Sequence, residues 1–288
     1  MEDIILCGCD GYNSNLLIDI LCENGIMTKR IEIKLKRTSK SWYNTIKESI
    51  MLKVYYFKPK DREELSKSIE EYFINNEYKE KVGLMGEWDV SNIINMDYVF
   101  YRYKNFNEDI CLWDVSNVVN MENMFYFCHN FNQDISGWNV SNVENMEGMF
   151  HRCGLFNQNI SGWDVSKVKN IRGGFCGCRN FDQDISRWDV SNIENMKGMF
   201  SGCQIFNQDI SEWDISKVKD ISYMFDNCYK FNQDISCWNV SGVINMRGIL
   251  NYCYNFNQDI SGWDISNVVN TEMMFNECGI IDEYKCKK

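Results

Sequence analysis

Tryptophan returns every 25 residues from Trp88 to Trp263, through Trp113, Trp138, Trp163, Trp188, Trp213 and Trp238, without one insertion or deletion. A fixed period of this length marks a unit too small to bury its own apolar face, so successive copies must stack on one another. Residues 85–281 make up eight such copies. Stacking needs recurring packing residues and no chemistry, so a sequence of this kind speaks about architecture first and about role only faintly.

Each copy carries two patterns. In the third, Val143, Met146, Met149, Phe150 and Cys153 recur at intervals of three and four, the spacing of one side of a helix. Ser141 with Glu144, and Ser191 with Glu194, have capping-box spacing at the start of that segment. The other half, "FNQDISGWNV", is rich in β-branched and aromatic residues around a glycine and reads as a short bent strand that pairs in parallel with its counterpart in the next copy. One strand and one helix per copy predict an α/β fold, a leucine-rich-repeat-like solenoid of eight strand-helix coils with the tryptophan column as its structural core. At about 4.8 Å per strand the rod is about 40 Å long.

An open stack needs a cover. Residues 57–84 supply a helical cap: Asp61 stands as N-cap with Glu64 three residues on, and Leu65, Ile69, Tyr72 and Phe73 share one face of a helix over 61–81. Residues 1–56 do not repeat. "IILC", "RIEIKLK" and "SIMLKVYYF" read as strands and "SNLLIDILCENG" as a helix, a small mixed α/β extension of unread role. Cys7, Cys9 and Cys22 lack a second CxxC or a nearby histidine and read as structural. The basic cluster of Lys29, Arg30, Lys34, Lys36, Arg37 and Lys40 alternates with apolar residues and reads as the wet face of a strand. Residues 282–288 form a tail.

The consensus phrase of the copies, FNQDISxWDVSNV followed by NMxxMF and a cysteine, resembles the BspA-like leucine-rich-repeat family, and "FKPKDREELSKSIEEYF" resembles the helical lead-in that often precedes its repeats. The resemblance covers residues 85–281. It implies a solenoid used for adhesion or protein binding, and its pattern contains no catalytic residues.

Charge narrows the partners. Residues 1–84 balance 14 Lys/Arg against 14 Asp/Glu, whereas residues 85–288 hold 16 against 27, so the whole formal charge of −11 sits on the repeats. An acidic stack disfavours nucleic acid and anionic membranes. No stretch approaches 18 consecutive apolar residues, which predicts no membrane insertion. The opening "MEDIILCGCD" has acids where a basic leader segment would stand, which predicts an intracellular, cytoplasmic protein. Seven of the 14 cysteines form a column at the same period, Cys128 to Cys278. Neighbouring coils lie about 5 Å apart, near disulfide reach, but an odd column without a leader favours buried free thiols.

Columns separate packing from chemistry. Asn95, Asn120, Asn145, Asn170, Asn195, Asn245 and Asn270, with Asp220 between, offer donors and acceptors to backbone left bare at a turn. Asp89, Asp114, Asp164, Asp189, Asp214 and Asp264 form an acidic column in which neighbours about 5 Å apart repel by about 0.8 kcal/mol even in water. Asn139 and Asn239 substitute within it, and Asn159 does so in the column of Asp109, keeping the acceptor and losing the charge. That suits a turn and disfavours calcium. No cofactor is expected, and neither His129 nor His151 has the partners of a catalytic triad.

The variable positions flank the cysteines. Tyr126, Phe127, His151, Arg152, Tyr229, Tyr252 and Tyr254 form the candidate partner-binding surface, against the plainer reading that several only cover helix ends. The sequence therefore predicts a non-enzymatic protein-protein interaction scaffold, with a cell-surface adhesin exported without a recognisable leader as the alternative.

Overall fold

A computed structural model describes residues 57–287 of the chain. The chain divides into two units, Met1–Phe57 and Lys58–Lys288. The strands, the helix, Cys7, Cys9, Cys22 and the basic cluster expected within residues 1–56 lie outside the described residues.

The second unit opens on helix α1, Arg62–Ile74, whose N-cap Asp61 accepts a hydrogen bond from the Glu64 N–H. Leu65, Ile69 and Tyr72 are buried on one face. The helix stops at Asn75, an extended residue whose side chain accepts from the Tyr78 N–H and so starts a second helix, α2, Asn76–Val82. One asparagine thus splits the helix expected over 61–81, because its amide competes for the backbone groups that a continuing helix would use. The Tyr72 ring meets Trp88 edge-on at 5.6 Å. Arg62 donates to the Asp97 carbonyl at 3.1 and 2.8 Å, covering an acceptor that the first coil leaves bare.

The coils themselves overturn the expected strand-helix unit. Among the described residues α-helix is confined to α1 and α2, and the repeats hold no named strand. Neighbouring coils share single parallel bridges, from Asn95 with Asn120 through to Asn245 with Asn270. The leucine-rich-repeat-like solenoid of strand-helix coils, and the capping boxes drawn at Ser141 and Ser191, are therefore wrong. Ser141 and Ser191 donate their N–H groups to Asn139 and Asp189 and cap nothing.

Hydrogen bonding explains the failure. In the third coil the N–H groups of Met149, His151 and Cys153 return to the carbonyls of Met146, Gly148 and Phe150, a run of overlapping three-residue turns. The N–H groups between them, on Met146, Gly148, Phe150 and Arg152, leave the coil for the carbonyls of Asn170, Arg172, Gly174 and Cys176 at 2.6 to 2.9 Å. A helix would return every N–H to the fourth residue before it. Here half of them bind the next coil, and turns that step by three reproduce the apolar spacing of a helix without its bonding.

Two positions per coil take positive φ and fix that geometry. One column runs Tyr98, Asn123, Gly148, Gly173, Gly198, Tyr223, Gly248, Met273; the other runs Arg102, Phe127, Arg152, Gly177, Gly202, Asn227, Tyr252, Glu277. The left-handed region interrupts both helix and strand, and glycine enters it without steric cost.

The core is a pile of phenylalanines. Within a coil, Phe125 and Phe131 stack at 4.0 Å and Phe150 and Phe156 at 4.1 Å. Between coils, Phe131 and Phe156 lie 5.9 Å apart with planes 5° from parallel. From Trp113 to Trp238 each indole rests on the phenylalanine of the preceding coil, as Trp138 does on Phe125 at 6.1 Å, whereas Trp263, preceded by Leu250 at that position, stacks on Trp238 at 6.4 Å. All eight indoles are buried. A buried indole N–H needs an acceptor, and from Trp113 onward it is a carbonyl 28 residues earlier, for example that of Ile135 for Trp163 at 3.2 Å. The column thiols from Cys128 to Cys253 do the same: Cys153 donates to the Phe125 carbonyl and Cys178 to that of Phe150, each at 3.0 Å. Those carbonyls already accept an N–H of their own coil, so both lone pairs are used.

The tail is folded. Tyr284, in a short 3-10 turn at Asp282–Tyr284, accepts the Ile260 N–H, and Cys286 is buried.

Candidate functional site

Polar columns hold the turns that present the variable side chains. Asp114, Asp164 and Asp214 accept N–H bonds from Ser116, Ser166 and Ser216, and Asn139 accepts from Ser141 in the same manner. The serine hydrogen bonds hold the carboxyls of Asp164, Asp214 and Asp264 below the usual carboxylate range. At Asp89, partial burial raises the pKa, but bonds from Ser91 and Lys58 outweigh it and bring the value down to about 2. In the bridge column, Asn145 accepts the Glu147 N–H, and Asn120 and Asn195 do the same for Glu122 and Lys197.

One further polar ladder has no place in the sequence reading. Asn132 accepts from the Asn157 N–H and its carbonyl from Gln158, and the same step recurs from Asn107 to Asn257. Its signal was the unbroken "FN" or "FD" before every turn, which stacks one side-chain oxygen on the next coil's backbone N–H.

The seven candidate surface residues fall into two groups. In coils 2 and 3, Tyr126 stacks on His151 at 4.5 Å, Phe127 lies 4.8 Å from Tyr126, and the Arg152 guanidinium sits 4.8 Å from the Phe127 ring. In coils 6 and 7, Tyr229 stacks on Tyr254 at 5.4 Å, and Tyr252 meets Tyr254 edge-on at 6.1 Å. Coils 4 and 5 separate the groups and carry Gly177 and Gly202 where Phe127, Arg152 and Tyr252 stand elsewhere. Those three bulky residues hold positive φ at a cost of about 1–3 kcal/mol each.

A groove of about 480 Å³ runs beside the first group. Tyr101, Tyr126 and His151 line one wall, which Ser201 and Asp226 continue; Glu147, Arg172 and Lys197 line the other, and Gly148, Gly173 and Gly198 the floor. Burial, helped by the charge of Arg152, pushes the His151 imidazole down to about 4. At neutral pH it is an uncharged ring. The glycines and the two cations are absent from the sequence-derived set. Their signal was the glycine in three consecutive copies, "NMEGMF", "NIRGGF" and "NMKGMF", where a helix interior would disfavour it.

Among the described residues no helix is long and apolar enough to cross a membrane. No curated protein and no solved structure matches the chain. A family model does match, over residues 67–187 and again over 169–284, as its own repeat allows. Together these matches span most of the chain, which belongs to the family described as Mycoplasma protein of unknown function, DUF285.

Proposed function

We propose that the protein is a non-enzymatic protein-protein interaction scaffold of the BspA-like kind, whose turn-built coils hold variable side chains against a partner. The observation that carries this reading is the cluster of Tyr126, Phe127, His151 and Arg152, rings and a guanidinium stacked at the surface with two members in strained backbone. Aromatic and arginine side chains are the residues on which binding energy concentrates, and the left-handed position that every coil contains is filled here by bulky side chains where coils 4 and 5 use glycine. An intracellular setting is supported by the column thiols, which donate hydrogen bonds that a bridged sulfur lacks. The adhesin alternative uses the same face in an oxidising setting. A thiol count on protein from its native source separates the two.

The test is saturable, stoichiometric capture of one protein by the full chain, repeated with Phe127→Ala/Arg152→Ala. Loss of that capture at an unchanged melting temperature supports the scaffold. Equal capture by the variant overturns it.

A further inference from the structure

The ring ladder on the groove wall stops abruptly. Tyr101, Tyr126 and His151 stack at 5.0 and 4.5 Å with planes within 20° of parallel. The next three coils place Cys176, Ser201 and Asp226 at that position, so the imidazole has no ring beyond it. Where the ladder ends, the floor is bare. A methyl group on Gly173 would meet nothing nearer than His151 Nδ1 at 3.6 Å, and on Gly198 nothing nearer than Ser201 Cβ at 3.9 Å. On either side the floor is filled: Asn123 covers Gly148, and the Tyr223 ring covers Gly248. This leaves a slot over coils 4 and 5, bounded by a ring at each end. On its other wall Arg172 lies 3.6 Å from Glu147, and Lys197 has no ion-pair partner among the described residues.

We infer that this slot receives an aromatic side chain from an extended acidic segment of a partner protein, the ring stacking on His151 as the next rung and the flanking carboxylates reaching Lys197 and Arg172. The glycine floor lets a flat ring approach the backbone, which no side chain at those positions would permit. Neutral imidazole stacks without repelling the two cations opposite. Both carboxylates of the groove are engaged, Glu147 with Arg172 and Asp226 with the Ser201 hydroxyl and the Asn251 amide, so Lys197 is the cation left to draw an acidic segment onto repeats whose net charge is −11. The inference rests on the scaffold reading and names the partner chemistry of its groove.

Two histidines make the test simple. In full-length protein carrying His129→Gln, His151 gives the sole imidazole signal in a two-dimensional proton-carbon spectrum. The probe is an acetylated, amidated peptide with one central tryptophan flanked on each side by Asp-Glu. A saturable upfield ring-current shift of the His151 signal is expected, with binding weakened about tenfold when alanine replaces the tryptophan and about tenfold by Lys197→Glu. Ser201→Tyr, which fills the slot with the protein's own ring, should abolish the shift at an unchanged melting temperature; should it fail to fold, Lys197→Glu and the alanine peptide still decide. Absence of a saturable shift, or an equal response to the alanine peptide, overturns the inference. So does equal binding of free N-acetyltryptophanamide, which makes the ligand a small molecule, or a shift on raising protein concentration alone, which makes it a second copy. A captured partner that needs Phe127 and Arg152 but ignores Ser201→Tyr sinks the slot and leaves the scaffold standing.

Discussion

Helix α1 and the turn ribbon of each coil share one apolar spacing and fold differently. Leu65, Ile69 and Tyr72 in α1 and Met146, Met149, Phe150 and Cys153 in the third coil all step by three or four and all are buried. In α1 the backbone satisfies itself. In the coil every second N–H needs a neighbour, so the ribbon exists only as part of a stack. The contrast teaches that apolar spacing reports which side chains face inward and leaves the destination of the N–H groups undetermined.

The largest expected effect falls on the stack. Trp188→Ala removes a buried indole and its bond to the Ile160 carbonyl, and should cost about 3 to 5 kcal/mol in denaturant unfolding, with the coils on either side melting separately. A loss under about 1 kcal/mol would show that the column does not hold the coils together.

Gly198→Ala tests the contrast by its sign. In an exposed helix interior this change stabilises by about 1 kcal/mol. In the ribbon, where Gly198 has φ +60, it should destabilise by about 1 to 2 kcal/mol although the methyl group has room. A raised melting temperature would restore the helical unit.

Asp61→Ala touches the self-contained region. It removes the acceptor for the Glu64 N–H and should cost about 1 kcal/mol, visible as reduced protection of the first turn of α1 in hydrogen exchange while the coils keep theirs. Loss of protection throughout would mean that the cap and the stack unfold as one.

The smallest effect is in acid. The folded-state pKa of Asp89 lies near 2, below its ordinary 3.8. Its contribution is therefore complete above the ordinary value and fades as pH falls from 3.8 toward 2. Asp89→Asn keeps the turn acceptor, loses the Lys58 pairing, and should flatten the acid limb of the melting temperature over that window. An unchanged limb would assign acid lability to the other lowered aspartates.

What the sequence made legible was recurrence: the 25-residue step, which residue types occupy each column, and the Asp61 signal that opens α1. Local conformation stayed hidden, because turns that overlap by three residues imitate helical spacing. Only the glycines inside the segment, at 148, 173, 174, 177, 198, 202 and 248, spoke against it. The groove was half legible. Tyr126 and His151 stood out as variable aromatics, but Arg172 and Lys197 look like ordinary surface charge until stacking places them across a bare floor from the rings.

The thiol column has a use of its own. Cys128, Cys153, Cys178, Cys203, Cys228 and Cys253 are each buried in a different coil, and burial pushes every one of these thiols up, away from the reactive thiolate. Cys237 is exposed and will react with an alkylating reagent at once. The buried six will wait until their own segment opens, so mass-resolved alkylation over time reads the breathing of the molecule address by address, with no cysteine introduced.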